Sequence, residues 1–339
     1  MRRFDYHRAA DLDSAVLLLA DRPGAKLLAG GTNLADLMKL GVEQPDTVID
    51  VSRLGLDEVT ELPDGGLRIG AGLRNSDLAA HPAVRRGYPV LSRALLSGAS
   101  GQLRNLASTA GNLLQRTRCR YFQDVSKPCN KRRPGSGCPA IEGDHHNLAI
   151  LGASEHCVAT HPSDLAVALV ALDAELTIRG GSAERTLPLA QLYLPPDDRP
   201  DLEYGLAHFE MITAVTVPGL PFGAVSTYRK VRERASYAFA IGSVAAALDV
   251  TGGVVADVRI ALGAVAHKPW RATVAERALV GEPAAIESYE RAIDAELAAA
   301  RPLRDNGYKV ALIRRLVVAT LAELAGDPSA AAMSRRPMS

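Results

Sequence analysis

A large charge excess of either sign is missing: 39 Lys and Arg face 38 Asp and Glu, a formal net charge of +1 at pH 7. Proteins that hold nucleic acid or an anionic membrane by general electrostatics carry a marked basic excess, so neither partner is expected and any basic patch must be local. No stretch approaches about 18 uninterrupted apolar residues, which excludes a membrane-inserted helix. The opening Met1-Arg2-Arg3-Phe4-Asp5 lacks the apolar run of a secretory signal. The chain is therefore expected to be cytoplasmic, or periplasmic if it crosses a membrane bound to a partner that carries a twin-arginine signal. Cysteine is scarce: Cys119, Cys129, Cys138 and Cys157 are the full set, and all fall in one short stretch. That distribution points to one shared ligand rather than to a disulfide framework. No internal repeat is visible.

What is present is ample core material, with 47% hydrophobic residues in 339, enough for a soluble globular protein of two or three domains. Residues 1 to about 55 read as a βαβ-like unit with helices at Leu12–Ala20 and Asn33–Leu40 and strands at Ala25–Ala29 and Thr47–Val51. A strand follows at Leu67–Ile69, and Pro82–Leu96 reads as one helix. Between Leu114 and Val158 the hydrophobic periodicity vanishes, and a segment of that length without a core of its own needs another source of order, such as a metal centre. Ser163–Leu172 reads as a helix with Asp164 near its start, followed by a β-rich stretch that includes Glu175–Ile178. Pro195-Pro196-Asp197-Asp198-Arg199-Pro200 reads as a surface linker. Strands at Ile212–Val217, Ala224–Val231 and Val258–Leu262 then flank an apolar stretch at Ile241–Val250 that ends in a Gly252-Gly253 turn. Helices at Ala272–Val280, Ala285–Ala300 and Tyr308–Leu324 complete an α+β region. Ser334–Ser339 is expected to be disordered.

Two segments carry cofactor chemistry. In Lys26-Leu27-Leu28-Ala29-Gly30-Gly31-Thr32-Asn33-Leu34, two glycines separate a short apolar strand from a helix. Such a turn brings backbone N–H groups close to a diphosphate, with some help from the helix N-terminus, although an ordinary strand-to-helix turn has the same composition. Gly101–Leu113 places small and hydroxyl residues around a second flexible point, and His161-Pro162-Ser163-Asp164-Leu165 follows. Taken singly, Asp164 could cap a helix, Lys230 could be a solvated strand lysine and Ser108 a turn hydroxyl.

The four cysteines are separated by nine, eight and eighteen residues. Zinc ribbons and fingers usually deliver two ligands from one Cys-x2-Cys or Cys-x4-Cys turn, and no such pair exists here. Four isolated thiolates suit a cubane whose four irons each need one cysteine. Arg116, Arg118, Arg120, Lys127, Lys131, Arg132 and Arg133 surround the first two cysteines, and positive charge favours thiolates. Structural zinc, two disulfides, or a local nucleic-acid contact with Tyr121 and Phe122 interleaved remain open on these residues alone. His145, His146, His156 and His161 are read as surface or loop histidines.

Together, Lys26–Leu34, Gly101–Leu113 and His161–Leu165 resemble the FAD-binding subunits of the xanthine dehydrogenase and carbon monoxide dehydrogenase family. There Ala-Gly-Gly-Thr-Asn/Asp, Arg-Asn-x-Ala-Ser-x-Gly-Gly-Asn and Pro-x-Ser-Asp recur in that order, and the resemblance covers nearly the whole chain. It implies that Lys26, Leu27, Leu28, Ala29, Gly30, Gly31, Thr32, Asn33 and Leu34 wrap the FAD pyrophosphate. It also implies that Ser108, Thr109, Gly111 and Asn112 line the flavin cavity, that Asp164 hydrogen-bonds the cofactor, and that Ile212 and Lys230 touch the flavin. Two positions depart from the family pattern. Ala110 stands where the first of two glycines is usual, which requires a negative φ, and His161-Pro162-Ser163-Asp164 lacks the spacer between proline and serine.

Gln115–Tyr121, Pro128–Arg132, Gly135–Cys138 and Ala149–Gly152 resemble the bacterial aldehyde oxidoreductase branch, which has an additional 4Fe-4S cluster. A related insertion occurs in the flavoprotein subunit of 4-hydroxybenzoyl-CoA reductase. The resemblance implies Cys119, Cys129, Cys138 and Cys157 as ligands of one such cluster. The implied fold class is α+β: a vanillyl-alcohol-oxidase-type FAD-binding region of two α/β subdomains, residues 1–55 and 56–220, with the cluster insertion at about 115–158. A C-terminal α+β domain at 221–326 and a flexible tail at 327–339 follow. The implied partners are a large molybdenum-cofactor subunit and a small 2Fe-2S subunit in a heterotrimer, electrons passing from the 2Fe-2S centres to FAD and an external acceptor. No second cysteine cluster and no molybdopterin site is identifiable here, so substrate chemistry is expected on other chains and no catalytic residue is assigned. A self-contained flavin reductase and a zinc-stabilised nucleic-acid-binding protein are the alternatives.

Overall fold

The computed structural model describes residues 1–327. The expected tail lies outside the described residues except for Asp327. No helix among the described residues is long and apolar enough to cross a membrane.

The chain forms three sheets in succession. In the first, β1 (Asp5–Arg8), β2 (Ala25–Leu28) and β3 (Thr47–Asp50) are parallel in the order β1-β3-β2. The helix Leu12–Ala20 begins at a reciprocal cap: Asp11 accepts from the Ser14 N–H at 2.7 Å and Ser14 Oγ accepts from the Asp11 N–H at 3.0 Å. Ala15 and Leu19 of that helix pack with Ile49 of β3. β1 was not foreseen because it is a polar edge strand whose fit comes from Tyr6 and Arg8 contacting the Asp50 carboxylate.

The second sheet is antiparallel, with β4 (Val59–Glu61), β5 (Leu67–Gly70), β6 (Glu175–Gly180), β7 (Ala183–Pro188) and β8 (Glu210–Val217) in the order β4-β5-β8-β6-β7. The single helix expected over Pro82–Leu96 is two, Pro82–Gly87 and Pro89–Ser97. Pro89 has no N–H to continue the first helix and forces Tyr88 out of the helical region, to φ −142° and ψ 64°. The helix Asp164–Ala171 is buried at every residue. It belongs to the same core as β5 and β8 while Val167 also abuts Gly263 of the third sheet, so it is apolar on all sides.

The third sheet is an antiparallel meander of β9 (Ser226–Val231), β10 (Gly242–Thr251), β11 (Val254–Gly263) and β12 (Trp270–Arg271). Thr251 pairs with Val254 across Gly252 and Gly253, whose φ values of 59° and 79° suit a two-residue hairpin turn. The helices Thr273–Leu279, Ile286–Leu297 and Tyr308–Leu324 cover this sheet through Leu279, Ile293, Ile313 and Val317.

Two expectations are corrected between these layers. The 115–158 segment has a small core of its own, in which Cys119, Phe122, Ala140, Leu148 and Cys157 pack with Leu37 from the first unit. The proline-rich segment 195–200 runs over the surface as expected, with Pro195 and residues 197–199 exposed, but it is a tied strap rather than a linker: Pro196 and Pro200 are buried, and Lys131 Nζ donates to the Pro200 carbonyl at 2.9 Å.

Candidate functional site

The glycine turn leaves β2 at Leu28 and enters the helix Leu34–Lys39. A Cβ on Gly30 would lie 1.9 Å from the Leu106 carbonyl oxygen, so the bare backbone at this position is what allows the turn to sit against residues 106–107. Gly31 takes φ +72°, which β-branched residues do not tolerate. The helix has six residues, so what it offers an anion is local N–H groups and little macrodipole. Asn33 Oδ1 accepts from the Arg116 N–H at 3.0 Å, while its buried Nδ2 has no acceptor in the chain. Leu27 through Leu34 are half-buried and Lys26 is exposed.

Against this turn lies the second expected segment. Ser108 caps the helix Thr109–Leu113 by accepting from the Gly111 N–H at 3.3 Å, and the Thr109 hydroxyl is spent on the Leu73 carbonyl at 3.0 Å. Ala110 lies within that helix and is not among the residues with positive φ, so its methyl is accommodated. Asn112 Oδ1 accepts from Ser163 Oγ at 2.6 Å, joining this segment to the next.

Asp164 is buried, and its two oxygens accept from Tyr228 at 2.5 Å and from Lys230 Nζ at 2.8 Å. Lys230 also donates to the Ser97 carbonyl at 3.1 Å. Sequence reasoning found Asp164 and Lys230 but missed Tyr228, because a tyrosine on a strand carries no signal until its hydroxyl is placed. Ile212 is 3% exposed and faces Ile178 within the second sheet, part of the apolar core. The turn abuts Leu106–Ala107, and the Ser163–Asn112 hydrogen bond joins Ser108–Asn112 to the Asp164 cluster, whereas Ile212 lies in the apolar core.

The four cysteines are free thiols and all line one small pocket, together with Thr117, Phe122, Lys131 and His156. Side chains brace the loop around it. The Cys129 N–H donates to Ser136 Oγ at 3.0 Å, Asn130 Oδ1 accepts from the Gly137 N–H at 2.7 Å, and Asn130 Nδ2 donates to the His156 carbonyl at 3.0 Å. Gly135 and Gly137 take φ 78° and 97° to make the turn. Among the described residues, no group of three or more His, Cys, Asp or Glu side chains is arranged so that it could hold a metal ion.

The expected electrostatics of the thiols is corrected. Burial pushes the Cys119 and Cys138 thiols up and Cys157 up to about 11, against an opposing influence of Lys131 on Cys157. Most of the basic residues face elsewhere: Arg116 pairs with Glu43 and Glu203, Arg120 with Asp144, Arg118 stacks on Phe239, and Arg132 donates to the Tyr121 and Lys127 carbonyls. All four histidines of this region lie in loops or turns as expected and His146 and His156 are exposed, but two are buried. His145 is 1% exposed, held by the Ala140 carbonyl and the Asp305 N–H at 3.1 and 3.0 Å, and His161 is 8% exposed.

Residues 2–220 match the family described as FAD binding domain in molybdopterin dehydrogenase. The chain belongs to this flavoprotein family. Residues 226–324 match the CO dehydrogenase flavoprotein C-terminal domain, so this member has the two-part FAD-binding and C-terminal architecture expected of an α+β flavoprotein. It is 52% identical to the aldehyde oxidoreductase FAD-binding subunit PaoB of Escherichia coli (strain K12), over 95% of this chain and 98% of that protein. It is 26% identical to the glyceraldehyde dehydrogenase medium chain of Sulfolobus acidocaldarius, over 82% of each. A solved chain of the carbon monoxide dehydrogenase from Hydrogenophaga pseudoflava superposes with a TM-score of 0.75 at 26% identity, covering 96% of this chain and 98% of that one.

Proposed function

We propose that this flavoprotein is the FAD-carrying electron-transfer subunit of a molybdenum-dependent aldehyde oxidoreductase and that it also holds one 4Fe-4S cluster on Cys119, Cys129, Cys138 and Cys157. Its partners in this reading are a large molybdenum-cofactor subunit, where the aldehyde is oxidised, and a small 2Fe-2S subunit. The observation that carries the cluster is the convergence of four free thiols on one cavity beside the glycine turn. Four separated thiols suit a cubane, whereas one zinc ion needs all its sulfurs about 2.3 Å from a single point. Burial disfavours thiolates in that cavity, and a bound cluster would supply the positive charge that stabilises them.

For FAD, the cleared backbone at Gly30 and the unpartnered Asn33 Nδ2 fit a diphosphate, with Lys26 to Leu34 as its cradle. Ser108, Thr109, Gly111 and Asn112 form the adjoining wall, and Asp164 with Lys230 fixes the floor through a buried ion pair. Ile212 supports the wall from the core. Bound FAD supplies the conversion between one-electron carriers and a two-electron acceptor. The 52% identity to an aldehyde oxidoreductase subunit supports the aldehyde class.

Anaerobic purification followed by metal and flavin analysis tests the reading. The expected result is one FAD and four irons per chain, with dye reduction only when electrons are supplied and no aldehyde turnover by the chain alone. Stoichiometric zinc without iron would remove the cluster, and aldehyde oxidation by the isolated chain would remove the partners.

A further inference from the structure

Four buried side chains of alternating charge connect the glycine turn to the cysteine cavity. Arg116 binds Glu43 at 2.6 Å through a terminal nitrogen and Glu203 at 2.5 Å through Nε, and Lys131 Nζ meets the other Glu203 oxygen at 2.9 Å. Glu43, Arg116, Glu203 and Lys131 are only 12%, 18%, 12% and 8% exposed. Two positive and two negative groups leave the set neutral. Burial acts to raise the Glu203 carboxyl, but Lys131 and Arg116 hold it below its ordinary value.

The set touches both candidate cofactor sites, and beyond its four members the exposed Lys26 of the glycine-turn segment lies 3.5 Å from Glu43. The Arg116 N–H holds Asn33 of the glycine turn at 3.0 Å. The Arg116 guanidinium also lies 4.5 Å from the centre of the Phe122 ring, which packs with Cys119 and Cys157. At the other end Lys131 lines the cysteine cavity. A buried ion network is a poor way to gain stability compared with apolar packing, but it fixes relative position sharply, since displacement of one member strands the charge of another. Neither the glycine turn nor the cysteine loop can then shift without disturbing the other.

We propose that Glu203 is a positioning residue that, through Arg116, couples the two cofactor sites, so that metal in the cysteine cavity tightens FAD at the glycine turn and FAD tightens metal in return. The coupling rests on the two-site reading above, and reciprocity follows from linkage. Glu203 touches neither site directly; it acts by holding Arg116 and Lys131.

The test uses the full-length protein, with FAD affinity measured by flavin fluorescence on flavin-depleted samples. Each sample is compared iron-replete, after iron is stripped with a chelator under oxidising conditions, and after the cluster is rebuilt with iron and sulfide. In the wild type, stripping should weaken FAD by at least about fivefold, the lower end of ordinary coupling between sites, and rebuilding should restore it. In Glu203→Gln, stripping should leave FAD affinity nearly unchanged. Arg116→Lys, which keeps the charge but loses the fork between two carboxylates, should behave in the same way and carries the comparison if Glu203→Gln does not fold. Equal FAD affinity with and without iron in the wild type, or an undiminished iron effect in the variants, overturns the coupling alone. A wild-type chain that holds no iron overturns the cluster and the coupling with it, and iron assay before any variant is made separates that outcome.

Discussion

At the scale of single residues, the candidate flavin site depends on what is missing at Gly30 and what is paired at Asp164. The 1.9 Å approach of a Gly30 Cβ to the Leu106 carbonyl is far inside any van der Waals contact, and a backbone carbonyl has no flexible end that can move aside. Gly30→Ala should therefore displace the turn and weaken FAD binding by an order of magnitude or more, with the fold retained. Flavin titration of the purified variant decides it; unchanged affinity would take the turn out of the site. Asp164 sits between Tyr228 and Lys230, and the Lys230 side chain is only 3% exposed. Asp164→Asn would leave that ammonium uncompensated, at a cost of roughly 3–5 kcal/mol. The expected readout is a large drop in the thermal midpoint that Lys230→Met introduced in the same chain partly reverses, since removing both charges removes the stranded one.

At the scale of elements, legibility in the sequence followed how much of each element was determined locally. Tyr308–Leu324 was readable to its ends, and the alternation of strand and helix in residues 12–50 was readable to within a residue or two, although the continuous apolar run Ala15–Ala20, in which Leu17 is exposed, carries no helical periodicity of its own. The break at Pro89 was readable in principle, yet the apolar spacing on either side hid it. β1, Tyr228 and the partners of Arg116 were not readable: Glu43 and Glu203 lie 73 and 87 residues from Arg116 in sequence. Lys309 belongs to the same class. It is fully buried in the last helix and donates to the Asn147, Leu148 and Ala264 carbonyls at 3.2, 2.9 and 2.5 Å, pinning the end of the cysteine loop to the third sheet. Burial lowers it to about 7, but three acceptors require the three donors of an ammonium. Lys309→Met should remove the donor of the Ala264 and Asn147 carbonyls, leaving Leu148 only Asn306 Nδ2 at 3.4 Å, and cost at least about 2 kcal/mol in denaturant unfolding. A variant as stable as the parent would mean that desolvation of the ammonium cancels its hydrogen bonds.

At the scale of the whole molecule, the cysteine loop returns to the core against residues 265–267 beyond the third sheet's strand β11, and two histidines mark that junction. The His161 N–H donates to the Ala266 carbonyl at 3.0 Å and its ring lies 4.4 Å from that of Tyr193, while His267 Nδ1 lies 2.9 Å from the Gly152 carbonyl. Burial lowers both imidazoles from 6.5 to about 4. Because the folded value lies below the unfolded one, the unfolded chain takes up protons between pH 6.5 and about 4 that the folded chain refuses. Stability therefore falls as pH falls through that window, by on the order of 3 kcal/mol for the buried His161, and changes little from this source above pH 6.5. Denaturation followed from pH 7.5 down to 4 should show this loss, and His161→Gln, which has no such proton to take up, should flatten the curve in that window. If the variant loses stability with acid as steeply as the parent, the acid sensitivity of the junction arises from other groups and His161 is not protonated on unfolding in the way its burial requires.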